Sequence, residues 1–444
     1  MIGPRPPGVK QGDRGEPANC GVTAAAQWGM APRMDAQSTL AERQSAPIGF
    51  AEFVALVAAL MALGALGIDA MLPALPAIGT ELGVGVENQR QFVISAFLLG
   101  FGLAQLVHGP LSDRFGRRAV LMPALVTYAL ANLVAGLSGS FAVLLAARFA
   151  SGLAVAATRV VTVAMVRDCY AGRPMARVMS LAFMVFMAAP VLAPSLGEVI
   201  LWFGSWRLIF VMIASAAALV AAWFAWRLPE TLRPEARLPL SPARLFAGWR
   251  TTLTERASLG YTLASTMLLG ALYGFINSVQ QVVRALAGDD RYLVPVFIAV
   301  AGTMALANLT NSRIVLRLGT RRISHSALVA LIALSFTHLA IALAGLETIW
   351  TFAVLQALTM GCFGLATANF GAMAMEKMGG IAGTASSVQG FITVTTGAVV
   401  GARIGQAFDG TTVPLYTGFA VAGVAALLVV AITERGRLFA PHAG

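Results

Sequence analysis

Charge is what this chain has least of. Of its 444 residues, 11% are Asp, Glu, Lys or Arg, against about a quarter in an ordinary soluble domain, so water is not its main solvent. Cysteine is scarce as well. Cys20, Cys169 and Cys362 stand far apart with no neighbouring His or Cys at ligand spacing, which excludes a disulfide framework and a zinc site. Four histidines make no metal-binding face, and no clustered nucleophiles or paired carboxylates accompany them, so a membrane enzyme is disfavoured. No G-x-x-x-x-G-K-[ST] occurs, which removes the nucleotide-driven classes. A filter-like segment for a channel is missing, as is the period-2 alternation of a barrel.

Hydrocarbon fills the chain instead, at 58% apolar residues. Apolar runs long enough to cross a bilayer, about 17 to 25 residues each, recur after residue 48. They predict twelve helices, over 50–73, 91–110, 118–137, 141–166, 175–203, 206–227, 258–284, 292–316, 323–345, 347–375, 381–408 and 412–433. The expected fold class is an all-α polytopic membrane protein. A net charge of +11 and a pI near 10.5 do not call for nucleic acid, because the basic residues gather in alternate loops. One side would hold Arg114, Arg117 and Arg118; Arg167, Arg173 and Arg177; Arg227, Arg233, Arg237, Arg244, Arg250 and Arg256; then Arg313, Arg317, Arg321, Arg322 and Lys377. The other would hold Arg90, Arg207, Arg284 and Arg291. Basic loops stay in the cytoplasm, so both termini are expected there, in a multi-pass protein of the inner (plasma) membrane.

Residues 228–257 form the longest polar interruption and contain four prolines. They divide the chain into an amino-terminal six-helix half, 49–227, a cytoplasmic central loop, and a carboxyl-terminal half, 258–434, followed by a cytoplasmic tail, 435–444. An internal repeat supports the division: "RFGRR" begins at Arg114 and "RLGTR" at Arg317, with Gly116 and Gly319 in register. Two pseudo-symmetric halves, each with a basic turn after its second helix, predict a transporter that rocks about a midplane cavity. Residues 1–48 lack both hydrophobic periodicity and the apolar core of a signal peptide, so a disordered cytoplasmic tail is expected, with Met34 as the candidate true start.

The stretch "GPLSDRFGRR" follows G-x-x-x-D-R-x-G-R-R/K through Gly109, Asp113, Arg114, Gly116, Arg117 and Arg118, and it resembles the hallmark loop of the major facilitator superfamily. Further stretches resemble drug:proton antiporters of the bicyclomycin and chloramphenicol resistance (Bcr/CflA) efflux type: "IDAMLPALPAIGTEL" from Ile68, "ARFASGLAVAATRVVTVAMVRDCY" from Ala147, "APVLAPSLG" from Ala189, "GSWRLIF" from Gly204 and "LPETL" from Leu228. The resemblance covers about residues 50–434. It implies the major facilitator fold and proton-driven export of small amphipathic compounds by alternating access. The implied partners are a small-molecule substrate, protons and the lipid bilayer, with no cofactor beyond the proton gradient and a monomeric chain. The rival of the same fold is a proton-coupled importer, or a carrier of one specific metabolite.

Individual residues carry separate expectations. In the hallmark loop, the arginines are expected to meet inner-leaflet phosphates, and Asp113 to cap the next helix or to pair across the halves as a gate. Asp69 lies in an apolar run before Pro73, and an ionisable group at membrane depth is a candidate proton carrier. Arg148 stands at a similar depth in the fourth helix and needs a partner, so the two are expected to pair. The resemblance likewise associates these positions with proton coupling, although Ser151 replaces the glutamine usual in that motif. Arg159 shares the face of Arg148 and is expected either to line the cavity for anionic or zwitterionic cargo or to snorkel toward the inner surface beside Arg167 and Asp168.

Pro190, Pro194 and Gly197 should bend the fifth helix and let it pack closely. They resemble the antiporter motif taken to seal the halves, with Glu198 where a second glycine is common. In the second half Asn277, Gln280 and Gln281 recur at helical spacing, Asn308 and Asn311 follow, then Gln356 and Asn369, then Gln389. A few polar groups in an apolar pocket suit broad recognition. His108 and His338 are titratable near neutrality, with no role assigned.

Overall fold

The computed structural model describes Gly3 and residues 46–170, 172–237, 239 and 241–439. Expectations for the amino-terminal tail, Met34 among them, and for residues 440–444 fall outside the described residues. Among the described residues fourteen α-helices follow one another and there is no strand.

The first span is α1 (Phe50–Asp69), which stops short of the expected 50–73. Pro73 and Pro76 carry no N–H to continue the ladder, so a 3₁₀ turn over Leu72–Ala74 and the short α2 (Leu75–Glu81) replace it. Asp69 consequently stands at a helix end. The first half continues with α3 (Phe92–Phe115), α4 (Arg117–Gly136), α5 (Phe141–Cys169), α6 (Gly172–Phe203) and α7 (Arg207–Arg227). The central segment was expected to be a loop, yet it carries α8 (Pro242–Thr254). A proline costs nothing as the first helical residue, and α8 packs against α9 and α13, burying Gly248 and Thr252. The second half is α9 (Arg256–Ala287), α10 (Leu293–Leu318), α11 (Thr320–Leu343), α12 (Ile349–Met375), α13 (Ala382–Gln406) and α14 (Val413–Thr433).

Among the described residues, ten helices are long and apolar enough to cross a membrane. The expected fifth and eleventh spans are α6 and α13. The latter is rich in Gly, Ser, Thr and Gln because it lies between helices rather than against lipid.

The halves repeat each other's neighbours. In the first, α3 packs on α5, α4 on α5 and α7, and α1 on α5, α6 and α7; in the second, α10 packs on α12, α11 on α12 and α14, and α9 on α12, α13 and α14. The repeat reaches the backbone. Gly116 (φ 105°, ψ 158°) and Gly319 (φ 79°, ψ 154°) both precede the third helix of their half. A positive φ is costly for residues with a Cβ, which explains the glycine in each basic turn. An acid after the last span then braces each turn. Glu230 accepts hydrogen bonds from the backbone N–H of Arg117 (2.8 Å) and Arg118 (3.1 Å), and Glu434 accepts one from Arg321 Nε (3.0 Å), the first and last of these pairs each 113 residues apart.

Across the halves, α13 runs antiparallel along α3, and α6 meets α10. Small residues set the α3–α13 approach: Gly102 lies against Thr395, Gly390 against Gln105, and Gly109 against Ser387. Without water to drive association, such close contact is what holds helices together in lipid.

Candidate functional site

Asp69 and Arg148 are both buried, at 4% and 0% exposure. The direct pair expected between them is not formed. Arg148 donates through Nη2 to the Gly67 carbonyl (2.7 Å) and through Nε to the Val93 carbonyl (3.2 Å), and its guanidinium lies over the Phe97 ring at 4.4 Å and near Phe210 at 5.7 Å. Gly67 is in the last turn of α1, whose carbonyls have no intrahelical donor and gather partial negative charge. Arg148 therefore caps α1 from a neighbouring helix. Two residues along a helix is a turn of about 200°. Gly67 faces Tyr128 and Phe97, so Asp69 points to another side. Its carboxyl makes no hydrogen bond or ion pair, and Oδ1 is wholly shielded. Arg159 of α5 is exposed, and Tyr273 of α9 is buried. Ser151, where the resemblance expects glutamine, bonds only its own helix at the Ala147 carbonyl (2.8 Å).

The hallmark loop keeps its charges within one half. Asp113 pairs with Arg117 (2.5 Å), and Arg117 pairs in turn with Asp168 at the end of α5 (2.8 Å). Arg118 donates to the carbonyls of Leu228 (2.8 Å) and Ala225 (2.7 Å) at the end of α7, while Arg114 is exposed. The expected cross-half gate pair through Asp113 is not formed, because Arg117, one turn away and buried, takes its carboxylate. Gly109 provides the close approach to Ser387.

The halves are joined by hydrogen bonds at the opposite end from the hallmark loop. Gln91 Nε2 donates to Gln281 Oε1 (2.5 Å) and to the Gly405 carbonyl (3.1 Å), while its Oε1 accepts from Gln406 Nε2 (3.3 Å). Asn88 Nδ2 donates to the carbonyls of Gln406 (3.0 Å) and Phe408 (2.8 Å), and its Oδ1 accepts from Gln281 Nε2 (2.9 Å). One turn deeper, Ser95 Oγ donates to Asn277 Oδ1 (3.3 Å). Gln281 and Asn277, expected in the cavity wall, are thus members of an inter-half clasp in this state.

The other expected cavity residues sort differently. Gln280 donates to Asp290 (3.1 Å), Gln356 accepts from the Tyr416 hydroxyl (2.9 Å), and Asn369 donates to Asn311 (2.9 Å) and the Leu365 carbonyl (2.8 Å). Gln389 donates to Ser258 (2.9 Å) and the Ala374 carbonyl (3.0 Å). These bonds stay within the second half. Asn308 lies where a Cβ on Gly364 would come within 3.3 Å of it. In α6, the backbone at Gly197 meets the Ala70 carbonyl and the Pro73 ring, and Pro194 is buried. The antiporter-like helix is thereby packed on the end of α1, beside Asp69. The Pro190 side chain lies outside the described residues.

A family model described as Major Facilitator Superfamily matches residues 56–402. The chain belongs to the major facilitator superfamily. It is 30% identical over 390 residues, 86% of its own length and 96% of the relative's, to a bicyclomycin resistance protein homolog of Haemophilus influenzae. To a chloramphenicol resistance protein of Pseudomonas aeruginosa it is 35% identical over 217 residues, 46% and 51% of the two chains. The crystal structure of a D-xylose-proton symporter superposes with a TM-score of 0.62 at 14% identity, covering 85% of this chain and 95% of that one, which is agreement in fold. The resemblance read from the loops stands. The protein is a multi-pass facilitator-superfamily transporter of small molecules, not an enzyme.

Several residues of this transporter's site gave little signal in the sequence. Asn88 lies in a short polar connection that reads as a loop, Gln91 is the first residue of the second expected span, and Gln406 lies near the end of the eleventh. Only their placement at one end of α3 and α13 reveals the clasp. Glu230 could have been found, since the repeat that aligns Gly116 with Gly319 brings it within one residue of Glu434.

Proposed function

We propose that the chain exports small amphipathic compounds, antibacterial drugs among them, from the cytoplasm in exchange for protons. The observation that carries this reading is the Asp69 carboxyl, buried at the end of α1 with no partner. A carboxylate stranded away from water is costly. It can enter a closed state cheaply only when a proton neutralises it or a polar substrate compensates it. Proton and substrate thus exclude each other at one group, which is the logic of exchange. Arg159 of α5 and Tyr273 of α9 would offer polar contacts to such a substrate. Arg148 acts as a positioning residue: it holds the end of α1, and so the place of Asp69, through the Gly67 carbonyl.

The clasp of Asn88, Gln91, Gln281 and Gln406 closes one end, and parting it opens the space to that side. The basic loops support an orientation with the hallmark loop and both termini in the cytoplasm of an inner-membrane protein. The proton gradient supplies the drive, with no cofactor or nucleic acid involved and a single chain as the working unit. The names of the relatives support drugs as cargo, and the close seating of Gly197 on α1 ties the antiporter-like helix to the acid.

Expression in a host without its own efflux pumps, challenged with a compound panel, tests the reading. Growth rescue is expected, and Asp69→Asn or a protonophore should abolish it at equal protein level. Rescue that survives both would refute proton-driven export. Counterflow in inverted vesicles separates export from import, since export appears there as uptake.

A further inference from the structure

A second buried ionisable group lies apart from Asp69, at the clasp end of the second half. His338 of α11 is 0% exposed and Glu347, in the turn between α11 and α12, is 6% exposed; His338 Nε2 and Glu347 Oε1 are 2.5 Å apart. The other carboxylate oxygen, Oε2, accepts from the Thr412 hydroxyl at the start of α14. The tautomer with its proton on Nε2 lets the imidazole donate to Oε1 while Thr412 donates to Oε2. The imidazole is stacked on Tyr416 of α14, with ring centroids 3.4 Å apart, and lies 6.0 Å from the Phe352 ring of α12.

That leaves His338 Nδ1, which has no partner. In the same cluster, Gln356 accepts the Tyr416 hydroxyl on Oε1 and leaves its Nε2 unpartnered. An orphan ring nitrogen and an orphan amide around one tyrosine are the setting for a small polar guest. Glu347 and Tyr416 are the titratable groups facing the imidazole; α12 contributes the neutral Phe352 and Gln356.

We infer that the His338–Glu347 pair is a second proton-binding site, which takes its proton from water at His338 Nδ1. With Nδ1 empty the buried pair carries one negative charge. Loaded, it is an ion pair with no net charge, in which the Glu347 carboxylate offsets the cost of burying the imidazolium. Loading forms one N–H bond at Nδ1 and breaks one O–H bond of the hydronium ion that delivers the proton, leaving water. The site's use in transport rests on the proton-driven reading, but proton binding itself can be measured without it.

The purified full chain in detergent, with histidine labelled at the ring nitrogens, is titrated by NMR from pH 5 to 9, and the His338→Gln difference identifies the signal. The expected result is an imidazole that keeps Nε2 protonated throughout and loads Nδ1 within this range. Glu347→Gln retains an oxygen to accept Nε2–H and can donate its NH2 to the Thr412 oxygen, but removes the charge, and it should weaken proton binding at Nδ1 at least tenfold. A single state of Nδ1 from pH 5 to 9, or a titration indifferent to Glu347→Gln, overturns the inference. If Asp69→Asn abolishes rescue while Nδ1 does not titrate, the second site alone fails. If Nδ1 titrates as described while rescue ignores Asp69→Asn and a protonophore, the antiport reading fails and the site stands.

Discussion

Replacing Gln91 by alanine should open the clasp. Gln91 is 1% exposed and makes three of the hydrogen bonds that join the halves, to Gln281, Gly405 and Gln406. A net contribution of about 0.5–1.5 kcal/mol per bond gives a loss of about 2–4 kcal/mol, borne by the closed state alone, because in the open state these amides bond to water. At tenfold per about 1.4 kcal/mol, the ratio of open to closed should rise roughly thirty- to several-hundred-fold. The reporter is Ser95→Cys, a substitution of similar size at a buried position behind the clasp, in a chain whose three native cysteines are changed to serine. A membrane-impermeant maleimide is applied to intact cells and its rate of reaction at this cysteine followed. Gln91→Ala should raise that rate by more than tenfold over the same reporter with Gln91 intact. Equal rates would refute the idea that these amides hold the halves together.

Two further outcomes follow from the packing. Glu230→Ala removes the acceptor for the backbone N–H groups of Arg117, Arg118 and Leu232; at about 1.5–3 kcal/mol for a bond to a charged group, before partial rehydration, it should lower thermal stability clearly, with Glu230→Gln restoring part of it, and a thermal shift assay reads both. Gly152→Leu would drive a side chain into the Phe97 carbonyl, where α3 and α5 approach most closely, whereas Gly302→Ala has nothing within 4 Å to meet; folded protein by size-exclusion chromatography should collapse for the first and be unchanged for the second.

Twelve spans, two halves and a repeated basic turn were legible in the sequence because each is a local property. A run of apolar residues long enough for a bilayer has few alternatives to a helix, and a glycine between arginines recurs where the same positive φ recurs. The candidate acid was legible for the same reason, as a charge in the wrong solvent. Its relations were not. Similar depth suggested that Asp69 and Arg148 meet, but depth is one coordinate of three. Helix rotation turns the arginine toward the Gly67 carbonyl and the carboxyl away from it, and the proline break at residue 73 makes that helix end a place needing a cap. Likewise, amides spaced for a cavity wall proved to bond across to Asn88, Gln91 and Ser95, residues of another half almost 200 positions away. Composition and periodicity determine what must leave water and where it must cross. Which polar groups then satisfy one another depends on how twelve helices rotate and pack, and that is decided by contacts between residues that no local pattern relates.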